Sequence, residues 1–222
     1  MTHGAKRVGV VLSGCGFLDG AEIHEATLTL LFLDRSGARA VAMAPSGDQV
    51  HVVDHLIGEV AGTERRNVLV EAARIARGKI VDMAKVKAAD LDALILPGGF
   101  GAAKNLCTFA LGGRQVDVNP DVSRLVRELS LAGKPLGFIC IAPIIAARVL
   151  GELHPRLTIG DDPDTAAAIE AMGGVHVPAR VDEVVVDEKN RIASTPAYML
   201  GPTIAPVAAG IEKLVASVLG MA

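Results

Sequence analysis

Two apolar segments, each ending in a small-residue turn, constrain this chain more than any other feature. Leu91-Asp92-Ala93-Leu94-Ile95-Leu96 runs into Pro97-Gly98-Gly99, and Leu136-Gly137-Phe138-Ile139 runs into Cys140-Ile141-Ala142-Pro143. A short apolar run bounded by turn residues is the pattern of a strand buried on both faces, as in a parallel sheet. Proline suits the first turn of a helix, so Pro143 starts one at once. Cys140 is therefore expected on a strand-to-helix elbow, facing the backbone N–H groups of the Gly98-Gly99 turn.

Strand and helix patterns alternate along the rest of the chain. Strands are expected at Val8 to Ser13, Ala38 to Ala44, Val50 to Val53, Lys79 to Met83, Leu157 to Gly160 and Val175 to Val177. Val184 to Val186 and Ile192 to Thr195 read as a hairpin with a polar turn. Helices are expected at Ala21 to Ser36, Asn67 to Ala76, Asp121 to Ala132, Pro143 to Leu150, Asp164 to Met172 and Ala205 to Leu219. Asp19 is the expected N-cap of the first of these and Gly37 its stop. The order predicts one α/β domain over 1–222: a flavodoxin-like open, mostly parallel sheet with helices on both faces and a nucleophile elbow. In such sheets ligands bind at the carboxyl ends of the strands.

Composition agrees. Half of the residues are hydrophobic but only 3% are aromatic, so the core must be built from Ala, Val, Leu and Ile. A net charge of -3 without a basic patch argues against nucleic acid as a partner. No uninterrupted apolar run has the length of a membrane span, and Met1 to Arg7 is short and polar with no signal-peptide core. The expected location is cytoplasmic. Cys15, Cys107 and Cys140 are odd in number and widely spaced, which argues against a disulfide framework. Scattered His and acidic residues give no metal-ligand spacing, and no cofactor is implied.

A free thiol is mostly protonated at neutral pH, whereas a helix N-terminus favours its anion. At the elbow the N–H of Ile141 and one from Gly98 or Gly99 can flank a developing oxyanion. Cys15 ends the first strand and is a candidate for the same pocket; Cys107 reads as packing. In Asp19-Gly20-Ala21-Glu22-Ile23-His24-Glu25, Glu22 and Glu25 share a helical face. A protonated Glu can donate to a thiolate, whereas an ionised one would repel it. Either glutamate is a candidate partner of the thiol, and His24 is a candidate base. Asn105, Lys104, Asn67 and Tyr198 are further polar groups that either line the pocket or cap local turns.

These motifs resemble the class I glutamine-amidotransferase-like superfamily, which includes the PfpI proteases and the Parkinson-associated deglycase/chaperone. Almost the whole chain is similar to the bacterial ElbB family, described as isoprenoid-biosynthesis-linked proteins with glyoxalase activity. The matching segments include Ser13-Gly14-Cys15-Gly16, Asp19 through Glu25, Thr63 through Asn67, Leu96 through Leu106, Gly137 through Pro143 and Thr195 through Leu200. The resemblance places the nucleophile on Cys140, its acidic partner on Glu25 with Glu22 as rival, and oxyanion donors at Gly99 and Ile141. It also implies a homodimer.

Two departures matter. The protease branch has a His directly after the cysteine; here that residue is Ile141. The glutaminases have a C-terminal His-x-Glu, which this chain lacks. Both chemistries need a base that protonates an amine leaving group. A glyoxalase asks for less: a thiolate and one acid/base group. The resemblance thus implies glutathione-independent conversion of glyoxal or methylglyoxal to a hydroxy acid. The alternative is a redox-sensing or regulatory protein in which Cys140 is oxidised without turnover.

Overall fold

The computed structural model describes residues 4–112 and 115–222; the first residues of the polar start lie outside them. Strand β1 is Arg7–Val11 and helix α1 is Ile23–Arg35. β2 (Arg39–Ala44) is followed by a small ribbon, β3 (Val53–Asp54) with β4 (Glu59–Val60). α2 (Val68–Ile75) leads to β5 (Val81–Asp82). β6 (Ala93–Leu96) leads to two short helices, α3 (Phe100–Lys104) and α4 (Phe109–Gly112). α5 (Pro120–Leu131) precedes β7 (Leu136–Ile139), and α6 (Pro143–Leu150) follows it. β8 (Arg156–Leu157) and β9 (Val175–His176) flank α7 (Pro163–Ala171). The hairpin β10 (Val185–Asp187) and β11 (Ile192–Thr195) is followed by α8 (Ile204–Met221).

The main sheet has seven strands in the order β10-β11-β7-β6-β1-β2-β5. All pairings are parallel except that of β10 with β11. This is the expected open α/β architecture. From β1 the chain moves outward to β2 and β5, then crosses back to β6 on the other side of β1. The carboxyl ends of β1 and β6 therefore border the switch point, where such sheets hold ligands.

Alternation fills both faces. Leu94, Leu96, Leu136 and Phe138 pack on one side with the buried residues of α5 and α6. Val8, Val10, Ile95 and Ile139 pack on the other with α1 and α8. Side chains along a strand point alternately up and down, so a fully apolar strand serves a sheet covered on both faces. Helix starts follow their caps. The side chains of Asn67, Asn119 and Asp162 accept N–H bonds at the starts of α2, α5 and α7, with proline next in line in the latter two.

Several expectations need correction. Glu22, not Asp19, caps α1, which starts at Ile23. Asp19 is buried and accepts the N–H of Val53 at 2.7 Å. The strands expected at Leu157 to Gly160 and Val175 to Val177 shrink to the two-residue pair β8–β9, outside the main sheet. α8 has the length and composition to cross a membrane, though Glu212 and Lys213 interrupt its apolar run. Its two charged residues are adjacent, and Val207, Ile211, Leu214 and Val218 are buried against the sheet and α1.

Candidate active site

Cys140 follows β7 directly, with φ at 61°. A left-handed conformation in a residue with a side chain costs about 1–3 kcal/mol and persists only where its surroundings impose it. Here the Cys140 N–H donates to the Thr195 carbonyl on β11 at 2.9 Å, and Pro143 begins α6 two residues beyond Ile141. The elbow places the side chain over the carboxyl edge of the sheet, 7% exposed. The N–H groups of Gly99 and Ile141 reach the sulfur. Gly98 does not donate to it; its N–H goes instead to Glu25 Oε2 at 2.8 Å.

Glu25 is completely buried. It lies on the first turn of α1, and its second oxygen, Oε1, accepts the Tyr198 N–H at 3.3 Å. It also hydrogen-bonds the Cys140 thiol. Glu22 lies apart from the thiol: its Oε2 accepts the Glu25 N–H at 2.7 Å, and its own N–H donates to the Gly98 carbonyl at 3.0 Å. Of the two glutamates left open by the sequence, Glu25 meets the sulfur and Glu22 caps the helix at the cavity rim.

The electrostatics follow from this geometry. Burial, reinforced by the Glu22 charge, pushes the Glu25 carboxyl up to about 8, against the pull of the Gly98 and Tyr198 N–H groups. Burial also pushes the Cys140 thiol well up, and the Glu25 charge adds to the push. That second contribution exists only while Glu25 is ionised. With the carboxyl protonated it vanishes, and a sulfur anion would face the Gly99 N–H, the Ile141 N–H and the carboxyl proton. The two groups titrate as a unit.

Gly98 makes the meeting possible. A Cβ on it would lie 2.6 Å from the Cys140 Cβ and 2.9 Å from Glu25 Oε2. Gly99 has φ at 90°, and a Cβ there would strike the Glu22 nitrogen at 2.4 Å.

The thiol opens into a cavity of about 570 Å³ bordered by Phe17, Glu22, Phe100, Phe109, Asp162 and Tyr198 among others. Among the described residues no histidine lines it. His24 is exposed and its Nδ1 lies 2.7 Å from the Tyr198 hydroxyl, outside the cavity. Burial, with Glu22 and Glu25 nearby, holds the Tyr198 phenol above its usual range, so it stays a neutral donor.

Other candidates fall elsewhere. Asn105 does not line the cavity; its amide donates to the Ser13 and Asp19 carbonyls at 2.9 Å each and accepts the Val50 N–H at 3.0 Å. These three bonds tie loops together. Cys15 also lies outside the cavity lining; burial and the charge of Glu71 push its thiol up. Cys107 is buried, bonded to the Ala102 carbonyl and pushed up to about 11 by burial. Asn67 is the cap of α2. Lys104 donates to the Leu18 carbonyl at 3.2 Å. Phe17, Phe109 and Asp162 were not apparent from the sequence: they come from a loop, the start of α4 and the cap of α7, which only the fold unites. Among the described residues no group of three His, Cys, Asp or Glu side chains converges on a metal position.

No family model matches the chain. Its similarity to curated proteins is extensive. It is 47% identical to the human glutamine amidotransferase-like class 1 domain-containing protein 3, mitochondrial, over 97% of this chain and 83% of that one. It is 46% identical to the ES1 protein homolog, mitochondrial, of Rattus norvegicus, over 96% and 83%. A solved isoprenoid biosynthesis protein with an amidotransferase-like domain, from Ehrlichia chaffeensis, superposes with a TM-score of 0.89 at 38% identity, over 96% of this chain and 99% of that one. The names of the human and rat relatives overturn the expected cytoplasmic location, since both are called mitochondrial. The chain belongs to the glutamine amidotransferase-like class 1 domain family that includes the ES1 proteins.

Proposed function

We propose that this protein is a glutathione-independent glyoxalase of the ElbB type, converting 2-oxoaldehydes to 2-hydroxy acids through Cys140. The observation that carries the reading is the direct pairing of the Cys140 thiol with a fully buried Glu25 whose carboxyl is pushed up to about 8. An acid/base group works best when it titrates near the operating pH. The buried Glu25 is one such group beside the nucleophile, and among the described residues no histidine lines the cavity. That supports proton transfer within a bound substrate over amide hydrolysis.

The steps balance without a cofactor. The sulfur attacks the aldehyde carbon, and the oxygen takes up a proton, giving a hemithioacetal. Glu25 removes the proton from the former aldehyde carbon, giving an enediol, and returns it to the adjacent carbon. The product is a 2-hydroxyacyl thioester. Water cleaves it to the hydroxy acid and restores the thiol. The N–H groups of Gly99 and Ile141 are suited to the oxyanion of the first and last steps; one such donor is typically worth about 3 kcal/mol.

A redox-sensor cysteine is usually accessible and readily ionised. Cys140 is only 7% exposed, which weighs against the sensor. Mass spectrometry of the Glu25→Gln variant exposed to methylglyoxal tests the reading. An adduct on Cys140 equal to one intact methylglyoxal, reversible on dilution, is expected. An unmodified Cys140 in a folded variant would refute it.

A further inference from the structure

Three of the chain's five phenylalanines, Phe17, Phe100 and Phe109, border the Cys140 cavity. Phe17 and Phe100 are 48% and 46% exposed, an unusual use of large apolar side chains in a chain so poor in aromatics. Exposed apolar surface of this kind, set in a concavity, marks a binding site.

The wall is braced. The Phe100 N–H donates to the Phe17 carbonyl at 2.7 Å, which ties the two segments together. Phe17 packs edge-on against the His55 ring, with centroids 5.5 Å apart at 75°. Lys104 Nζ sits 5.0 Å from the centre of the Phe100 ring while donating to the Leu18 carbonyl. Rings held in this way recognise a flat or bulky apolar group at low entropic cost.

Size points the same way. A cavity of about 570 Å³ falls among those that enclose drug-sized ligands and is far larger than methylglyoxal. The polar rim excludes one class of occupant. Glu22 and Asp162 border the opening, and the Asp162 carboxyl is held below its usual range by Thr165. Among the described residues no lysine or arginine lines the cavity. Among the described lining residues a phosphorylated or carboxylated substrate would meet two carboxylates and no cationic side chain.

We infer that the substrate is an uncharged 2-oxoaldehyde carrying an aryl or branched-alkyl group, seated on Phe17, Phe100 and Phe109 with its aldehyde over Cys140. The inference rests on the glyoxalase reading for its chemistry, but the apolar subsite is a matter of binding alone.

The test has two arms. In the first, alkylation of Cys140 by iodoacetamide is followed with acetophenone, acetone or phenyl phosphate present; none of these can turn over. Acetophenone is expected to slow the reaction at concentrations at least tenfold below those at which acetone does, and phenyl phosphate to leave it unchanged. The preference should fall in Phe109→Ala and in Phe17→Ala. In the second, kcat/KM for phenylglyoxal is expected to exceed that for methylglyoxal by about thirtyfold or more, as burial of an aromatic ring implies. Equal protection by acetone and acetophenone, or stronger protection by phenyl phosphate, would overturn the subsite. Acetophenone protection with no turnover of either aldehyde would leave the subsite standing and remove the glyoxalase reading instead.

Discussion

Glu25 is fastened to Gly98 across the switch point of the sheet, its Oε2 accepting the Gly98 N–H at 2.8 Å. The same glycine leaves the gap through which that carboxyl meets Cys140, since a Cβ there would lie 2.6 Å from the Cys140 Cβ. One residue thus holds the acid and makes room for the thiol.

Gly98→Ala should therefore separate the pair. The added methyl must displace the Cys140 Cβ, the Glu25 carboxyl or the backbone between them. Overpacking of this kind costs about 1–3 kcal/mol. The variant is expected to fold, with a lowered melting temperature, and to lose at least about a hundredfold in kcat, the scale of a misplaced acid/base group. Native-like kcat in Gly98→Ala would contradict the arrangement.

Glu25 should also mark the stability profile. Its carboxyl is raised to about 8 in the folded protein, against about 4.3 in an unfolded chain. In that window the folded state keeps a proton that the unfolded state has released. The resulting stabilisation is complete below about pH 4.3 and is lost as pH rises through about 8, by up to about 1.4 kcal/mol per unit. The native protein is expected to lose several degrees more than Glu25→Gln when moved from pH 6 to pH 8. Differential scanning calorimetry of both at the two pH values decides this; parallel losses would place the Glu25 titration elsewhere.

The rate should follow the same pair. The reactive form has lost one of the two protons held by Cys140 and Glu25. kcat/KM is expected to rise from pH 6 toward a plateau above about pH 8, and Glu25→Gln should lower it by about 10²–10⁴ while displacing the profile. A profile flat from pH 6 to 9 in the native protein would contradict that assignment.

Asn105 separates structure from chemistry. Its three hydrogen bonds join the loops after β1 and β2 to the end of α3. At about 0.5–1.5 kcal/mol each, their loss in Asn105→Ala should destabilise the fold by about 2–4 kcal/mol. Below the variant's melting temperature, the thiol's reactivity toward iodoacetamide is expected to stay close to native. A large drop in that reactivity in the folded variant would return Asn105 to the site.

The sheet and its carboxyl-end site are legible in the sequence because the strands are apolar runs closed by Gly or Pro. The elbow is legible because Cys140 stands between such a run and Pro143. The short elements β4, α3 and α4 are not: they are too short to express a hydrophobic period and are set by tertiary contacts. The misassigned cap has a similar origin. Asp19 satisfies a donor 34 residues away, on Val53, which local spacing does not reveal. Glu22 and Glu25 are three residues apart, and sequence alone cannot rank them; the Gly98 N–H and carbonyl separate their roles. His24 is a neighbour of both in sequence, yet it turns outward to Tyr198.

The central claim is tested most directly by measuring lactate formation from methylglyoxal, without glutathione or added metal, for the native protein and for Cys140→Ser. The account predicts steady lactate production by the native protein, first order in enzyme, and none above background in the folded variant. Equal rates in the two proteins, or no lactate from either, would contradict it.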